Sequence, residues 1–243
     1  MLRGLAPVCL VVVVLGALPA MAQEITLSLG DDTSIAARGV QLLIALTVLS
    51  LVPGLAVMIT AFPFIVTVLS ILRQAIGLQQ SPPNMLIVTL ALFLTWFVMD
   101  PVLMEAWAKG VQPLMDGQME IEAAFTATIA PFRTFMAARM DPDTFAALAA
   151  LRPDATPSGP MAGANLSVLV PSFLLSEIAR AFQIGFLIFL PFLIIDLVVA
   201  AVLMSMGMMM VPPAVVSLPF KLAFFVVADG WALVTGALVR SYF

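Results

Sequence analysis

The sequence predicts an all-α integral membrane protein made of two long helical hairpins. The first observation is composition: 63% of the 243 residues are hydrophobic and only 10% are charged, with a mean hydropathy of +1.15, values typical of membrane proteins. The second is that the apolar residues form two blocks, 40–99 and about 168–239, each too long for one spanning helix of about 20 residues. The third is a Pro-Pro pair inside each block, which predicts a turn there.

The N-terminus has the pattern of a cleavable signal peptide. A basic start is followed by an apolar run, Leu5–Leu18, and by an A-M-A sequence that ends at Ala22. We therefore predict a signal peptide over 1–22, cut after Ala22, and a short polar tail over 23–39. The alternative is a retained first transmembrane helix, although the apolar run is short for a span. The single cysteine, Cys9, lies inside the signal, so the mature chain would contain none.

The first hairpin is predicted over 40–104. Its turn is the G-x-x-x-x-P-P stretch that begins at Gly77 and ends at Pro82 and Pro83. Proline lacks an N–H donor and restricts the residue before it, so the pair stops a helix. The one charge between residues 40 and 99 is Arg73, just before this turn.

A more polar helical insert is predicted over 105–166. Apolar residues recur at steps of three and four in 120–140, which predicts one helix, and DPDTFAALAAL predicts a second, with Asp141 or Asp143 near its start. A Pro- and Gly-rich loop follows. A cleaved signal followed by four spans in all would place this insert and the C-terminus in the periplasm, and Arg73 inside.

The second hairpin is predicted over 167–243. Its turn begins at Gly207 and ends at Pro212 and Pro213, with the same spacing as the first turn. The match indicates either a weak internal repeat, as in transporter-like folds, or two hairpins that are similar independently.

Ionisable residues in apolar helices are functional candidates because they are costly to bury. Glu177 and Arg180 are three residues apart and share a helix face. Lys221 requires a carboxylate, for which Glu177 and Asp196 are the candidates. Asp196 and Asp229 could form an aspartyl protease dyad, but their sequence contexts lack the motif of such enzymes. Ion pairs or helix-end contacts are the other interpretation of these buried charges.

The second turn, SMGMMMVPP over 205–213, contains no charged residue, and none occurs between Asp196 and Lys221. An exposed apolar turn of this size is expected to be covered in an assembly or to line a constriction. Methionine is unbranched and adapts to changing partners. Simple packing between helices is the alternative. The candidate channel residues are Met208, Met209 and Met210.

Several classes of function are excluded. The chain has no histidine, which removes the commonest general base and metal ligand. Nucleophile elbows, phosphate loops, dinucleotide fingerprints and metal-binding motifs are absent from the sequence. A net charge of −4 without a basic run argues against nucleic acid. We predict that the protein is not an enzyme and needs no cofactor.

Five stretches carry a resemblance to a known family: RQAIGLQQSPPN, AFQIGF, PFLIIDLV, MGMMMVPP and LPFKL. With their flanks they cover most of the mature chain, and they resemble the FliP family of flagellar export-gate proteins, whose injectisome counterpart is SctR. The resemblance implies a ring of several copies with FliQ-like and FliR-like membrane proteins and other export-apparatus proteins. Unfolded flagellar subunits would pass through its centre.

The resemblance also implies roles for residues. Met208, Met209 and Met210 would form a gasket around the closed channel, and Glu177 and Lys221 would make an ion pair between neighbouring copies. The implied location is the bacterial inner membrane, in the flagellar basal body, with much of the assembly facing the periplasm. A small-molecule or ion transporter subunit is the alternative function, suggested by the twin hairpins and their charges.

Overall fold

A computed structural model describes residues 35–78, 81–152, 160–208 and 210–243. All regular elements in these ranges are helical, so the predicted all-α fold is confirmed. The predicted signal peptide, its cleavage site at Ala22 and most of the polar tail lie outside the described residues. The chain divides into two compact units, 1–49 and 50–243. Helix α1, Ile35–Met58, begins in the first unit and ends in the second.

The first apolar block contains three helices rather than the predicted two. After α1 come α2, Phe62–Ile76, and α3, Asn84–Ala106. Helix α2 begins with a proline in its first turn, where the missing N–H costs nothing. The first predicted helix of the hairpin is therefore interrupted near Ala61. Helix α2 has 15 residues, fewer than the about 20 that a span requires.

The turn between α2 and α3 is built around Gly77 and Arg73. Gly77 is left-handed, with φ of 90°, and its N–H donates to the Gln74 carbonyl, which ends α2 in the way glycine commonly does. The Arg73 guanidinium donates to the Pro82 carbonyl and to the Asn84 side chain. Arg73, the single charged residue of this block, thus connects the end of α2 to the Pro-Pro pair and the start of α3.

Helix α3 continues without a turn into the predicted insert. It passes through a π-helical segment, Trp107–Val111, and a short α4, Gln112–Met115. The predicted boundary between residues 104 and 105 falls inside this continuous stretch. A Cβ on Gly110 would lie 2.0 Å from the Thr128 hydroxyl oxygen, so this glycine allows close approach to the next helix.

Two further helices follow. They are α5, Ile121–Arg139, and α6, Pro142–Ala150. Asp141 is the cap of α6, because its carboxylate accepts from the Thr144 N–H at 2.8 Å. This bond and a second one, donated by the Thr144 hydroxyl at 2.8 Å, lower the pKa of Asp141 below its usual range.

The second apolar block begins with α7, Leu166–Ser205, a single helix of 40 residues. It packs against α2, whose buried residues recur at helical spacing and form the centre of the core: Phe64, Ile65, Val68, Leu69 and Leu72. The two helices approach closely at Gly185, where a Cβ would lie 2.4 Å from Ile71 Cδ1. The core is therefore made by a short helix against a long one.

The chain returns through α8, Pro213–Val227, and α9, Gly230–Arg240. The axes of these two helices differ in direction by 60°. Asp229 between them is left-handed, with φ of 47°, a conformation that aspartate tolerates better than most residues. The predicted last span is thus a bent pair.

Among the described residues, two helical stretches are long and apolar enough to cross a membrane, 84–115 and 166–205. The bent pair α8 and α9 would make a third. These three stretches correspond to the second, third and fourth of the four predicted spans, whereas α2, with 15 residues, is too short to be a span by itself. Large apolar side chains such as Phe182, Phe186 and Leu197 are exposed on α7, as expected for a surface covered by lipid or by other proteins.

Candidate functional site

Glu177 lies at the centre of a buried charge cluster. Its side chain is 0% exposed. The Arg139 guanidinium donates to both carboxylate oxygens, from Nε to Oε1 at 3.0 Å and from Nη2 to Oε2 at 3.4 Å. Arg180 is a more distant partner, with Nη1 at 3.9 Å from Oε1. A two-point contact of this kind compensates the large cost of burying a carboxylate.

The C-terminus of the chain completes this cluster. The Tyr242 hydroxyl donates to Glu177 Oε2 at 2.7 Å, and Arg139 Nη1 donates to the Ser241 carbonyl at 2.7 Å. The guanidinium carbon lies 3.8 Å from the centre of the Tyr242 ring, a cation–π contact. Burial and the neighbouring Glu177 raise the pKa of Tyr242 well above its usual value. The cluster thus joins α5, α7 and the C-terminus.

Sequence reasoning missed two members of this cluster, Arg139 and Tyr242. They are 38 and 65 residues from Glu177, so no local spacing connects them. Two signals were available: Arg139 ends the amphipathic stretch of α5, and Tyr242 is the only tyrosine in the chain.

Lys221 forms a second, partly buried pair, with Asp196. Lys221 Nζ is 2.6 Å from Asp196 Oδ2. Of the two carboxylates predicted as possible partners of Lys221, Glu177 and Asp196, it is therefore Asp196 that pairs with it within the chain. The ammonium also donates to the Ala75 carbonyl at 3.2 Å, near the C-terminal end of α2, where a positive charge is favourable. The lysine side chain is 7% exposed and that of Asp196 36%. This pair joins α2, α7 and α8.

The two aspartates that could have formed a protease dyad have different surroundings. Asp196 accepts hydrogen bonds from Ser217 and from Lys221. Asp229 is exposed in the isolated chain. Within the described residues no hydrogen bond joins the two carboxylates, whereas a dyad shares one proton between its two aspartates.

The methionine turn begins with a well-defined helix end. Gly207 is left-handed, with φ of 75°. Its N–H donates to the Met204 carbonyl and the Met208 N–H donates to the Leu203 carbonyl, both at 3.0 Å. This pair of hydrogen bonds is the Schellman motif, in which the residue after glycine packs back onto the helix. The sequence Gly207-Met208 therefore fixes how the turn leaves α7.

The methionines of this turn are exposed in the isolated chain. The exposed fractions are 65% for Met206, 38% for Met208 and 97% for Met210; Met209 lies outside the described residues. Met206 and Met208 line a groove of about 560 Å³ between α7 and α8. The rest of its lining is entirely apolar: Ile194, Ile195, Val198, Val199, Val202, Leu203, Val216 and Phe220. The methionine turn and the groove beside it thus form one continuous apolar surface.

These features define an all-helical integral membrane protein with two ion-paired clusters in its interior and an apolar, methionine-rich tip. The chain belongs to the FliP family, whose model matches residues 45–238. The family predicted from the sequence motifs is therefore confirmed.

Individual relatives support the same assignment. The chain is 51% identical over 224 residues to the flagellar biosynthetic protein FliP of Caulobacter vibrioides, covering 92% of this chain and 84% of that protein. It is 47% identical over 214 residues to the protein of the same name in Agrobacterium fabrum, covering 87% and 86%. The Bacillus subtilis protein of that name is 42% identical over 226 residues, which cover 91% of this chain and 100% of the relative.

Proposed function

We propose that this chain is a non-enzymatic, pore-forming subunit of the flagellar type III protein export gate in the bacterial inner membrane. Several copies would assemble with FliQ-like and FliR-like proteins in the basal body and pass unfolded flagellar subunits. Membership of the FliP family supports a role in flagellar biosynthesis, and two or three candidate spans support a membrane location.

The observation that carries this proposal is the exposed methionine tip. Met210 is 97% exposed in the isolated chain. Large apolar patches on loops generally mark surfaces that are covered by a partner, so we expect this turn to be covered in an assembly. In a ring, Met208, Met209 and Met210 of successive copies would meet at the centre. Unbranched thioethers could seal against ions and still deform around a passing chain.

The two ion pairs define what a contact between copies would require. Both oxygens of Glu177 are bonded within the chain, whereas Lys221 uses its ammonium for one carboxylate and one carbonyl. An ammonium has three donors, so Lys221 retains one for a neighbouring copy. Its proposed partner there, Glu177, would be shared with Arg139. Arg180, which is partly exposed beside Glu177, would lie near the same contact.

The proposed domain organisation follows the hairpins. A cleavable signal over 1–22 and a polar tail over 23–39 would precede the first hairpin, 40–104. The insert, 105–166, would face the periplasm, and the second hairpin, 167–243, would present the methionine turn.

Cysteine crosslinking tests the ring directly. Met208→Cys and Met210→Cys would be made in a Cys9→Ala background, with Met115→Cys as the matched control because Met115 is also exposed but lies on α4. We expect oxidation to join neighbouring copies, or to capture a stalled export substrate, at the turn and not at Met115. Equal crosslinking at Met115, or none at the turn in assembled complexes, would contradict the proposal.

A transporter of ions or small molecules remains the second candidate, supported by the partly buried Lys221–Asp196 pair between helices. It predicts a solute flux through the resting assembly that saturates with one solute. The gate predicts a resting assembly that is tight to ions and solutes.

A further inference from the structure

Four methionines occur within five residues of the turn, Met206, Met208, Met209 and Met210. Met206, Met208 and Met210 are separated by one residue each, and each carries an uncharged thioether sulfur. Thioethers are soft ligands that select Cu(I) and similar d¹⁰ cations and bind hard ions such as Mg²⁺ poorly. We propose that this turn binds one soft monovalent cation of the Cu(I) class through these three sulfurs.

The backbone brings two of the three side chains to one surface. The Schellman hydrogen bonds from Gly207 and Met208 reverse the chain at the end of α7, and Met206 and Met208 then line the same groove. The Val211 N–H donates to the Met208 carbonyl at 3.4 Å, which holds Val211 beside Met208. Met210 is almost fully exposed, so its flexible side chain is free to supply the third sulfur.

The surroundings favour a soft ion over a hard one. The carboxylate nearest in sequence before the turn, Asp196, is occupied by Lys221 and Ser217. The chain has no histidine, and its one cysteine is far away in sequence, at position 9. Among the described residues, no group of three or more histidine, cysteine, aspartate or glutamate side chains is placed to hold a metal. The thioethers are therefore the available ligands at this tip.

The chemistry gives the site a distinctive property. Thiolate, imidazole and carboxylate ligands must lose protons before they bind metal, so their affinities depend on pH. A thioether carries no proton, and the affinity of this site is therefore the same in mildly acidic and mildly basic buffer. The inference concerns one chain and does not depend on the proposed ring.

Silver(I) is the probe, because it has the same charge and softness as Cu(I) without its redox chemistry. The purified full-length protein in detergent would be labelled with ¹³C at the methionine methyl groups and titrated with Ag(I) against a competing chelator. The test variant is Met206→Leu/Met208→Leu/Met210→Leu, which conserves apolar volume. The control variant is Met85→Leu/Met104→Leu/Met115→Leu, because these three methionines are also exposed.

We expect the native protein and the control to retain one Ag(I) per chain, with shifted methyl resonances only from the turn and no dependence on pH. The test variant should bind at least about tenfold more weakly, the lower limit for loss of even an outer-shell partner of a metal site. Equal retention by the test variant, or no retention by the native protein, would overturn the proposal. Because leucine preserves an apolar tip, loss of silver binding and failure of the proposed seal are separate outcomes.

Discussion

Removal of Glu177 is the perturbation whose effect the structure defines most sharply. Glu177→Leu leaves the Arg139 guanidinium buried without its carboxylate and the Tyr242 hydroxyl without its acceptor. Breaking a buried pair from one side costs about 3 to 5 kcal/mol, because the remaining charge is uncompensated. Tyr242→Phe removes only one hydrogen bond to a charged group and should cost about 1.5 to 3 kcal/mol.

The double variant Arg139→Leu/Glu177→Leu distinguishes the free-energy cost of an unpaired buried charge from the net stabilisation that the ion pair contributes. Replacement of both partners by apolar residues is often near neutral, so the double variant should be more stable than either single variant. Thermal unfolding of the native protein, Arg139→Leu, Glu177→Leu and the double variant in detergent, followed by circular dichroism, measures this coupling. If the destabilisation of the double variant equals the sum of the single effects, the two residues act independently and the cluster described here is wrong.

Three further predictions follow from local geometry. Gly185→Ala should destabilise the chain by about 1 to 3 kcal/mol through overpacking, and Ile71→Val should relieve part of this in the double variant because it removes Cδ1, the atom 2.4 Å from the added Cβ. Gly207→Val should cost about 1 to 2 kcal/mol because φ is positive, whereas Gly207→Asn should cost less; unfolding of both variants measures the difference. Folding raises the pKa of Tyr242. The stability that the neutral Tyr242 hydroxyl contributes is therefore fully present below the unfolded-state pKa of about 10, and it is lost as the pH rises above that value. Since it is the only tyrosine, the tyrosinate absorbance should appear at higher pH in the folded protein than in denaturant; coincident titrations would show that the hydroxyl is not held as described.

The hairpin turns were predictable because their cause is local. Two Gly-x-x-x-x-Pro-Pro stretches stop helices by removing donors and by allowing a left-handed glycine. The cap of α6 was also accessible, since aspartate before a Pro-Asp-Thr sequence is a common start of a helix. The break between α1 and α2 was missed, because hydropathy is continuous across it and a proline in the first turn is compatible with either a start or a kink.

The charge clusters were only partly predictable because their members are distant in the chain. Glu177 and Lys221 stood out as charges in apolar helices, and both are buried. Their partners depend on how α5, α7, α8 and the C-terminus pack, which no local spacing encodes. Asp196 was one of two candidates for Lys221, and only the packed helices select it within the chain. A contact between copies stays a prediction.

The resting ion conductance of the assembled complex tests the central claim, that the methionine turn seals a protein channel. Deletion of 208–210 should make the assembly leak ions while export persists, whereas leucine at the same three positions should keep it tight because the surface stays apolar. We predict a leak in the first variant and none in the second. An unchanged conductance after the deletion would contradict the account and would leave these methionines as packing residues between helices.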